Sequence, residues 1–480
     1  MKPAEGDDRL GRVLVLLAAG AALGLLLVLL RHASTYFFLF DDFALLGVAA
    51  GQPPGSLLAQ PIGGFWRPFA LLLTRPEALL LGFGAPWANA AVSAALHLLV
   101  ASLVGLLARE LSGSGRAGAI AGAAFGLSPW ASESYFWLSS RFEILCGLGY
   151  VAALLLGLCA ARTGGRAPFL GTLAAFALAL GSKEMAVTLP PVLAVLLPWK
   201  DPVRRRRSAA LVVAALLLLA AYLGLRASVL PGLGGAYGSF GELLSRTDLA
   251  ANLGTWARAL GRPAAGLPGP PGERAALLHA AAGAVVLGLA VVCRAAASAR
   301  LALAFGLTLV PVAWSVLPAG STASGRYAYL PGVFVALLAG AAAAAALSPA
   351  ARTPVRAAGA LSLGGLLVAG LVLVDRQRLA YREATALSRR SLEALAPWAG
   401  KTDRLYVPNL PSAFVEGPYV LKPYALRFYH GVDRPTIRAE AVTLTLLGGA
   451  PRAVSSSPDP LSEHEAGPGE TEVLLPSPRP

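Results

Sequence analysis

Eleven apolar runs, most near the roughly 20 residues needed to cross a bilayer core, constrain what this chain can fold into more than any other feature. They lie at residues 13–30, 88–108, 117–129, 143–160, 167–181, 185–198, 208–225, 275–293, 300–317, 331–347 and 356–374. The third, fifth and sixth are short and bounded by Gly or Pro. Of 480 residues, 56% are hydrophobic and only 14% charged, against about 25% in an average soluble domain, which excludes an ordinary soluble enzyme. The first run is long and is followed by no small-residue cleavage site, so it reads as an uncleaved first span. No repeat of solenoid period occurs. The pattern predicts an all-α polytopic membrane protein of about eleven spans.

Forty Lys and Arg against 26 Asp and Glu give a net charge of +14. The excess is scattered between apolar runs and is not gathered on a polar face, which excludes a nucleic-acid partner. It sets orientation instead. With Lys2, Arg9 and Arg12 cytoplasmic, alternate turns carry Arg109 and Arg116, Arg162 and Arg166, Lys200 with Arg204 to Arg207, Arg294 and Arg300, and Arg352 and Arg356. The arrangement predicts a multi-pass protein of the plasma (inner) membrane. Loops 31–87, 130–142, 182–184, 226–274 and 318–330 then face outward, together with the chain beyond 375. Cys146, Cys159 and Cys293 all lie in apolar stretches and read as small core residues, not as a disulfide or metal framework.

Composition changes after residue 375. Residues 376–396 have the period of an amphipathic helix, 403–447 alternate as strands (RLYVPNLP, ALRFYH, AVTLTLL), and 455–480 are Ser/Pro/Glu-rich and read as a disordered tail. The chain therefore divides, on sequence, into a membrane domain at 1–375, a small extracytoplasmic α+β module at 376–454, and a tail at 455–480.

Polar groups at span ends collect on the outer side: Asp41 and Asp42 after the first span, Arg67, then Glu133 and Arg141, Lys183 and Glu184, and Arg326 with Tyr327. Ionisable groups at membrane depth are costly and commonly functional. Adjacent carboxylates can accept a proton or hold a hard cation, and Arg and Lys can hold a phosphate. Glu133 with Arg141, or Lys183 with Glu184, can equally be structural pairs. His97, inside the second span, reads as an interhelical hydrogen-bonding group, and the Trp residues near span ends as an aromatic belt. In the loop at 226–274, Asp248, Asn252 and Trp256 lie on an interfacial helix followed by GLPGPPG, which could serve as an acceptor platform or simply connect two spans.

The ordered stretches FDDF to FWRPF (40–69), SPWASESYFWLSSR (128–141), GSKEMAVTLP (181–190) and SGRYAYLP (324–331) resemble the GT-C superfamily of polytopic glycosyltransferases. The pattern is similar to the transmembrane and tetratricopeptide-repeat protein O-mannosyltransferases and their bacterial relatives. The relatives' Pro with Glu four residues on, Trp four later and Arg four later again is matched by Pro129, Glu133, Trp137 and Arg141, their Ser-Lys-Glu by Ser182, Lys183 and Glu184, and their Arg-Tyr-x-Tyr-Leu-Pro by Arg326, Tyr327, Tyr329, Leu330 and Pro331. The chain departs from the pattern at Gly325, where relatives often carry Glu, at Ser93, where they carry Asn, and in having no tetratricopeptide repeats.

The resemblance implies transfer of a sugar, a mannose-like hexose, from a polyprenyl-phosphate donor to an acceptor hydroxyl on the outer face, with inversion. It implies Asp41 or Asp42 as base, Glu133 orienting an arginine or the acceptor, and Arg326 with Tyr327, Arg141 or Lys183 at the donor phosphate. Arg67, His97 and Glu184 support the site. The expected partners are the lipid-linked donor, membrane lipid and an unspecified protein or glycan acceptor. No cofactor is required, with Mg²⁺ or Mn²⁺ on Asp41, Asp42 and Glu133 as the alternative. A transporter or flippase of lipid-linked sugars and a non-catalytic scaffold are the rival readings. A transporter would place its charges near the midplane and show repeat symmetry.

Overall fold

A computed structural model describes residues 9–475 except 62, 231–247, 294, 317, 319, 349, 447–450, 461 and 466–469. Seven helices among them are long and apolar enough to cross a membrane. They are α1 (Arg9–Thr35), α5 (Pro86–Ser112), α8 (Arg141–Thr163), α11 (Pro202–Val229), α13 (Pro270–Cys293), α15 (Tyr329–Ala346) and α16 (Thr353–Leu395). The chain is a membrane-embedded helical protein, and these seven match seven of the eleven apolar runs. The other four runs form shorter helices: α6 (Gly115–Gly126), α9 (Arg166–Leu180), a 3₁₀ turn leading into α10 (Leu189–Leu196), and α14 (Ala295–Leu309).

Small residues let the short helices pack closely. A Cβ on Gly118 of α6 would stand 2.7 Å from the carbonyl oxygen of Gly105 on α5, and one on Gly149 of α8 would stand 2.6 Å from that of Ala175 on α9. Between α1 and α5, α2 (Asp42–Gly51), α3 (Pro54–Ala59) and α4 (Pro68–Leu80) fold over the same end of the bundle as α7 (Glu133–Phe136). That end, called the upper end below, carries the candidate residues.

The expected boundary at 375 falls inside a single helix. The 43-residue α16 spans about 65 Å at 1.5 Å per residue, roughly twice the thickness of a bilayer core, so it is far longer than a crossing requires. Ala, Leu and Arg are strong helix formers, and no Gly or Pro interrupts 371–395, so nothing stops the helix where the composition changes. The upper half of α16 ties three loops together. Gln377 donates to the carbonyls of Pro129 and Ala264, Arg376 to those of Leu267 and Pro268, and Ser388 to that of Phe38.

Beyond α16 a four-stranded sheet runs in the order β3-β2-β1-β4, from β1 (Arg404–Phe414), β2 (Thr436–Thr445), β3 (Arg452–Pro458) and β4 (Thr471–Glu472). β1 is parallel to β2 and β4, whereas β2 and β3 are antiparallel. Leu405, Val407, Leu410, Ile437, Ala439 and Leu444 form its buried face. Two expectations change here. ALRFYH is a helix, α17 (Ala425–His430), in the crossover that a parallel β1–β2 pair requires. The segment expected to be a disordered tail contributes β3 and β4, because Ser-rich β3 can be an exposed edge whose backbone pairs with β2 without burying apolar side chains. The module docks through aromatics: Phe428 lies against Gly47 of α2, and Tyr429 packs on Phe37, Phe43 and Phe83.

Candidate functional site

The two adjacent carboxylates have opposite fates. Asp42 is fully buried and accepts four hydrogen bonds: Tyr36 Oη at 2.5 Å and Leu39 N at 2.9 Å on one oxygen, Ser139 N at 2.8 Å and Ser139 Oγ at 2.6 Å on the other. Burial raises its carboxyl to about 6, against the pull of the donors from Ser139, Tyr36 and Leu39. Asp42 therefore ties the chain after α1 to the turn before α8. Asp41 faces outward with 45% of its side chain exposed. Its Oδ1 accepts from Tyr424 Oη at 2.7 Å and lies 3.6 Å from Lys422 Nζ, both from the C-terminal module. Of the two adjacent carboxylates, only Asp41 is thus left available.

The basic candidates are each matched to a carboxylate. Glu133, fully buried at the start of α7, accepts from Arg326 N at 2.9 Å and Arg326 Nη1 at 2.6 Å. Burial raises its carboxyl above the ordinary range although Arg326 pulls the other way. Lys183 Nζ donates to Glu143 at 2.8 Å. Arg67 donates to both oxygens of Glu184, at 3.3 and 3.1 Å, and Arg226 adds a longer contact at 3.4 Å. Burial would raise Glu184, but Arg67, Lys183 and Arg226 outweigh it and hold the carboxyl down at about 2.

Arg141 departs from the expected role at the phosphate. It forms a fork with Glu77 and also donates to Ser93 Oγ at 3.0 Å and the Asn89 carbonyl at 2.7 Å, so its donors are spent on α4 and α5. His97 behaves as expected, bridging Tyr329 Oη at 2.9 Å and the Gly126 carbonyl at 3.1 Å while stacking on Tyr135. Asn252 and Trp256, on α12 (Leu249–Gly261), bond the carbonyls of Ala313, Trp314 and Ser315, so that helix is pinned to the loop before Arg326. The rest of the proposed platform at 231–247 lies outside the described residues. The three carboxylates considered for a metal are not assembled. Both oxygens of Asp42 and of Glu133 are engaged, and no group of three candidate ligands occurs among the described residues.

Asp41 and Arg326 are joined by an aromatic wall. Phe40 packs on Tyr419 at 4.7 Å, Tyr419 on Trp137 at 4.9 Å, and the Arg326 guanidinium lies 5.4 Å from the Trp137 ring and 4.8 Å from Tyr327. Lys183 approaches the same Tyr327 ring at 5.4 Å. Among the four expected cations Arg326 has the most exposed side chain, 19% against 3–9% for Arg67, Arg141 and Lys183. Tyr419, Lys422 and Tyr424 were not among the residues singled out on sequence. An apolar cavity of about 370 Å³ opens between α6 and the helices α13 to α16 and is lined in part by Trp130, whose carbonyl abuts Gly325.

No family pattern and no curated protein matches the sequence. Among solved structures the chain is similar to ArnT from Cupriavidus metallidurans bound to undecaprenyl phosphate, with a TM-score of 0.50 and 15% identity over 90% of this chain and 92% of that one. The same protein in the apo state gives a TM-score of 0.45 and 15% identity, over 88% and 85%. At such identity the likeness concerns the fold alone, a polytopic helical membrane domain followed by a small C-terminal sheet.

Two stability measurements follow from this geometry. Asp42→Ala leaves four donors unpaired and is expected to destabilise the detergent-solubilised protein by about 3 kcal/mol or more, whereas half-exposed Asp41→Asn should change it by about 0.5 kcal/mol at most; equal losses in thermal unfolding would contradict the division of roles. The folded Glu184 carboxyl sits at about 2 against an ordinary 4.5, so its contribution is present above pH 4.5 and lost as pH falls toward 2. Stability should drop by about 3 kcal/mol across that window in the wild type, and Glu184→Gln should flatten this part of the profile.

Proposed function

We propose that the chain is an inverting glycosyltransferase that moves a sugar, with a mannose-like hexose favoured, from a polyprenyl-phosphate donor to an acceptor hydroxyl. The observation that carries the reading is the pairing of one exposed carboxylate, Asp41, with one partly exposed guanidinium, Arg326, at opposite ends of an aromatic wall. Sugars pack their C–H faces on aromatic rings, and the two ends supply the two charges that transfer needs.

In this mechanism the acceptor oxygen attacks the anomeric carbon and its proton passes to Asp41. The bond from that carbon to the phosphate oxygen breaks, its electron pair leaves on the polyprenyl phosphate, and Arg326 meets the charge as it develops. Tyr327 and Lys183 line the same end, and Glu133 holds Arg326 in place through its backbone and side chain. The apolar cavity beside Trp130 suits a lipid chain. The bound undecaprenyl phosphate of the similar ArnT structure supports a polyprenyl carrier. No metal is needed in this scheme, since a leaving group with a single phosphate is met by the arginine. Asp41, Glu133, Lys183, Glu184 and Arg326 are read as outward-facing, with the N-terminus cytoplasmic in a plasma (inner) membrane.

Purified protein in nanodiscs, incubated with a panel of radiolabelled polyprenyl-phosphate sugars, should turn one over. Asp41→Asn should lose about 10²- to 10⁴-fold in rate, and EDTA should leave the rate unchanged. Turnover that survives Asp41→Asn removes Asp41 as base, and loss with EDTA that Mg²⁺ or Mn²⁺ restores replaces the metal-free scheme. Orientation has its own test. A cysteine placed at Ser456 on β3 should react with a membrane-impermeant thiol reagent in intact cells, and labelling only after lysis would reverse the topology.

A further inference from the structure

We infer that Tyr424 and Lys422 of the C-terminal module are positioning residues for the Asp41 carboxylate, so that the module completes the transfer site. The inference rests on the reading of Asp41 as the base. Both residues follow β1 in the crossover that leads to α17. Tyr424 Oη donates to Asp41 Oδ1 at 2.7 Å, and Lys422 Nζ stands 3.6 Å from the same oxygen. Oδ2 is left without a hydrogen bond among the described residues. A carboxylate clamped at one oxygen loses rotational freedom, and the free oxygen is the one left to receive a proton.

Lys422 differs from the other cations at the upper end. Arg67, Arg141, Lys183 and Arg326 all donate hydrogen bonds to carboxylates, whereas the Lys422 ammonium makes none among the described residues and is only 13% exposed on its side chain. Its charge therefore faces Asp41 across 3.6 Å without a hydrogen bond, and holds the carboxylate toward the module by attraction alone.

The same segment also fixes the backbone from which Asp41 projects. Phe40 is held at a φ of 46°, a conformation that a side chain of this size rarely adopts. Its N–H donates to the Val420 carbonyl at 3.0 Å, and its ring is flanked by Tyr419 at 4.7 Å and by Lys422 Nζ at 4.0 Å. Strained backbone persists where its surroundings over-determine it, and here residues 419–424 supply those surroundings. The backbone before Asp41 is thus braced by a segment almost 400 residues away in the chain.

The test is a double-mutant cycle on the full-length protein in nanodiscs, using the donor that the wild type turns over. Tyr424→Phe and Lys422→Met should each lower kcat about tenfold, the equivalent of one ordinary hydrogen bond or a comparable charge effect, while the KM for the donor stays near the wild-type value. Lys422→Arg should restore most of the rate. In the Asp41→Asn background neither change should lower the residual rate further, because the group they act through is gone. Unchanged melting temperatures separate these effects from misfolding. An unaltered kcat in both variants, or the same loss with and without Asp41, overturns the inference while the transferase reading stands. A wild type inert toward every donor overturns both.

Discussion

Four donors converging on Asp42 hold the upper end of the molecule together. Tyr36 and Leu39 belong to the chain leaving α1, and Ser139 to the turn entering α8, so a single buried carboxylate joins two segments a hundred residues apart. From this junction the neighbouring residues take their directions. Asp41, one residue earlier, is turned outward, and the wall residue Trp137 donates to the Leu39 carbonyl. A buried carboxylate with every lone pair used is costly to desolvate and costlier still to break, which suits a joint and not a reactant.

The matched cations follow the same economy. At this end of the bundle Arg67, Arg141, Lys183 and Arg326 each sit beside a carboxylate from another element. Such pairs contribute little net stability compared with apolar packing, but they fix register between helices. Arg326 differs because Glu133 accepts from its backbone N–H and from one guanidinium nitrogen, Nη1, while the guanidinium also lies over the aromatic wall.

Much of this was legible in the sequence. Apolar runs mark the seven long helices because length and hydropathy are local properties. The order of Asp41, Glu133, Arg141, Lys183 and Arg326 along the chain predicted that they gather at one end, and they do. What the residues could not reveal was how the charges pair: Glu77 and Glu143 look like ordinary helix residues, yet they neutralise Arg141 and Lys183. The difference between Asp41 and Asp42 is likewise a matter of which way one peptide unit turns. Tyr419, Lys422 and Tyr424 lay in a segment patterned like any strand-rich loop, and only the fold brings them to Asp41. The sheet order was hidden for a similar reason, since Ser-rich β3 has no apolar alternation to announce it.

The unbroken α16 makes the sheet part of the membrane domain's geometry in the manner of a shaft and its key. A helix turns about 100° and advances about 1.5 Å with every residue. One residue gained or lost between the bilayer and β1 would swing Lys422 and Tyr424 around the shaft and away from Asp41. A change of seven residues would restore the angle but shift the module by about 10 Å along the axis. The length of this segment is thus under tighter restraint than its composition, and relatives of this chain should vary its side chains far more freely than its residue count.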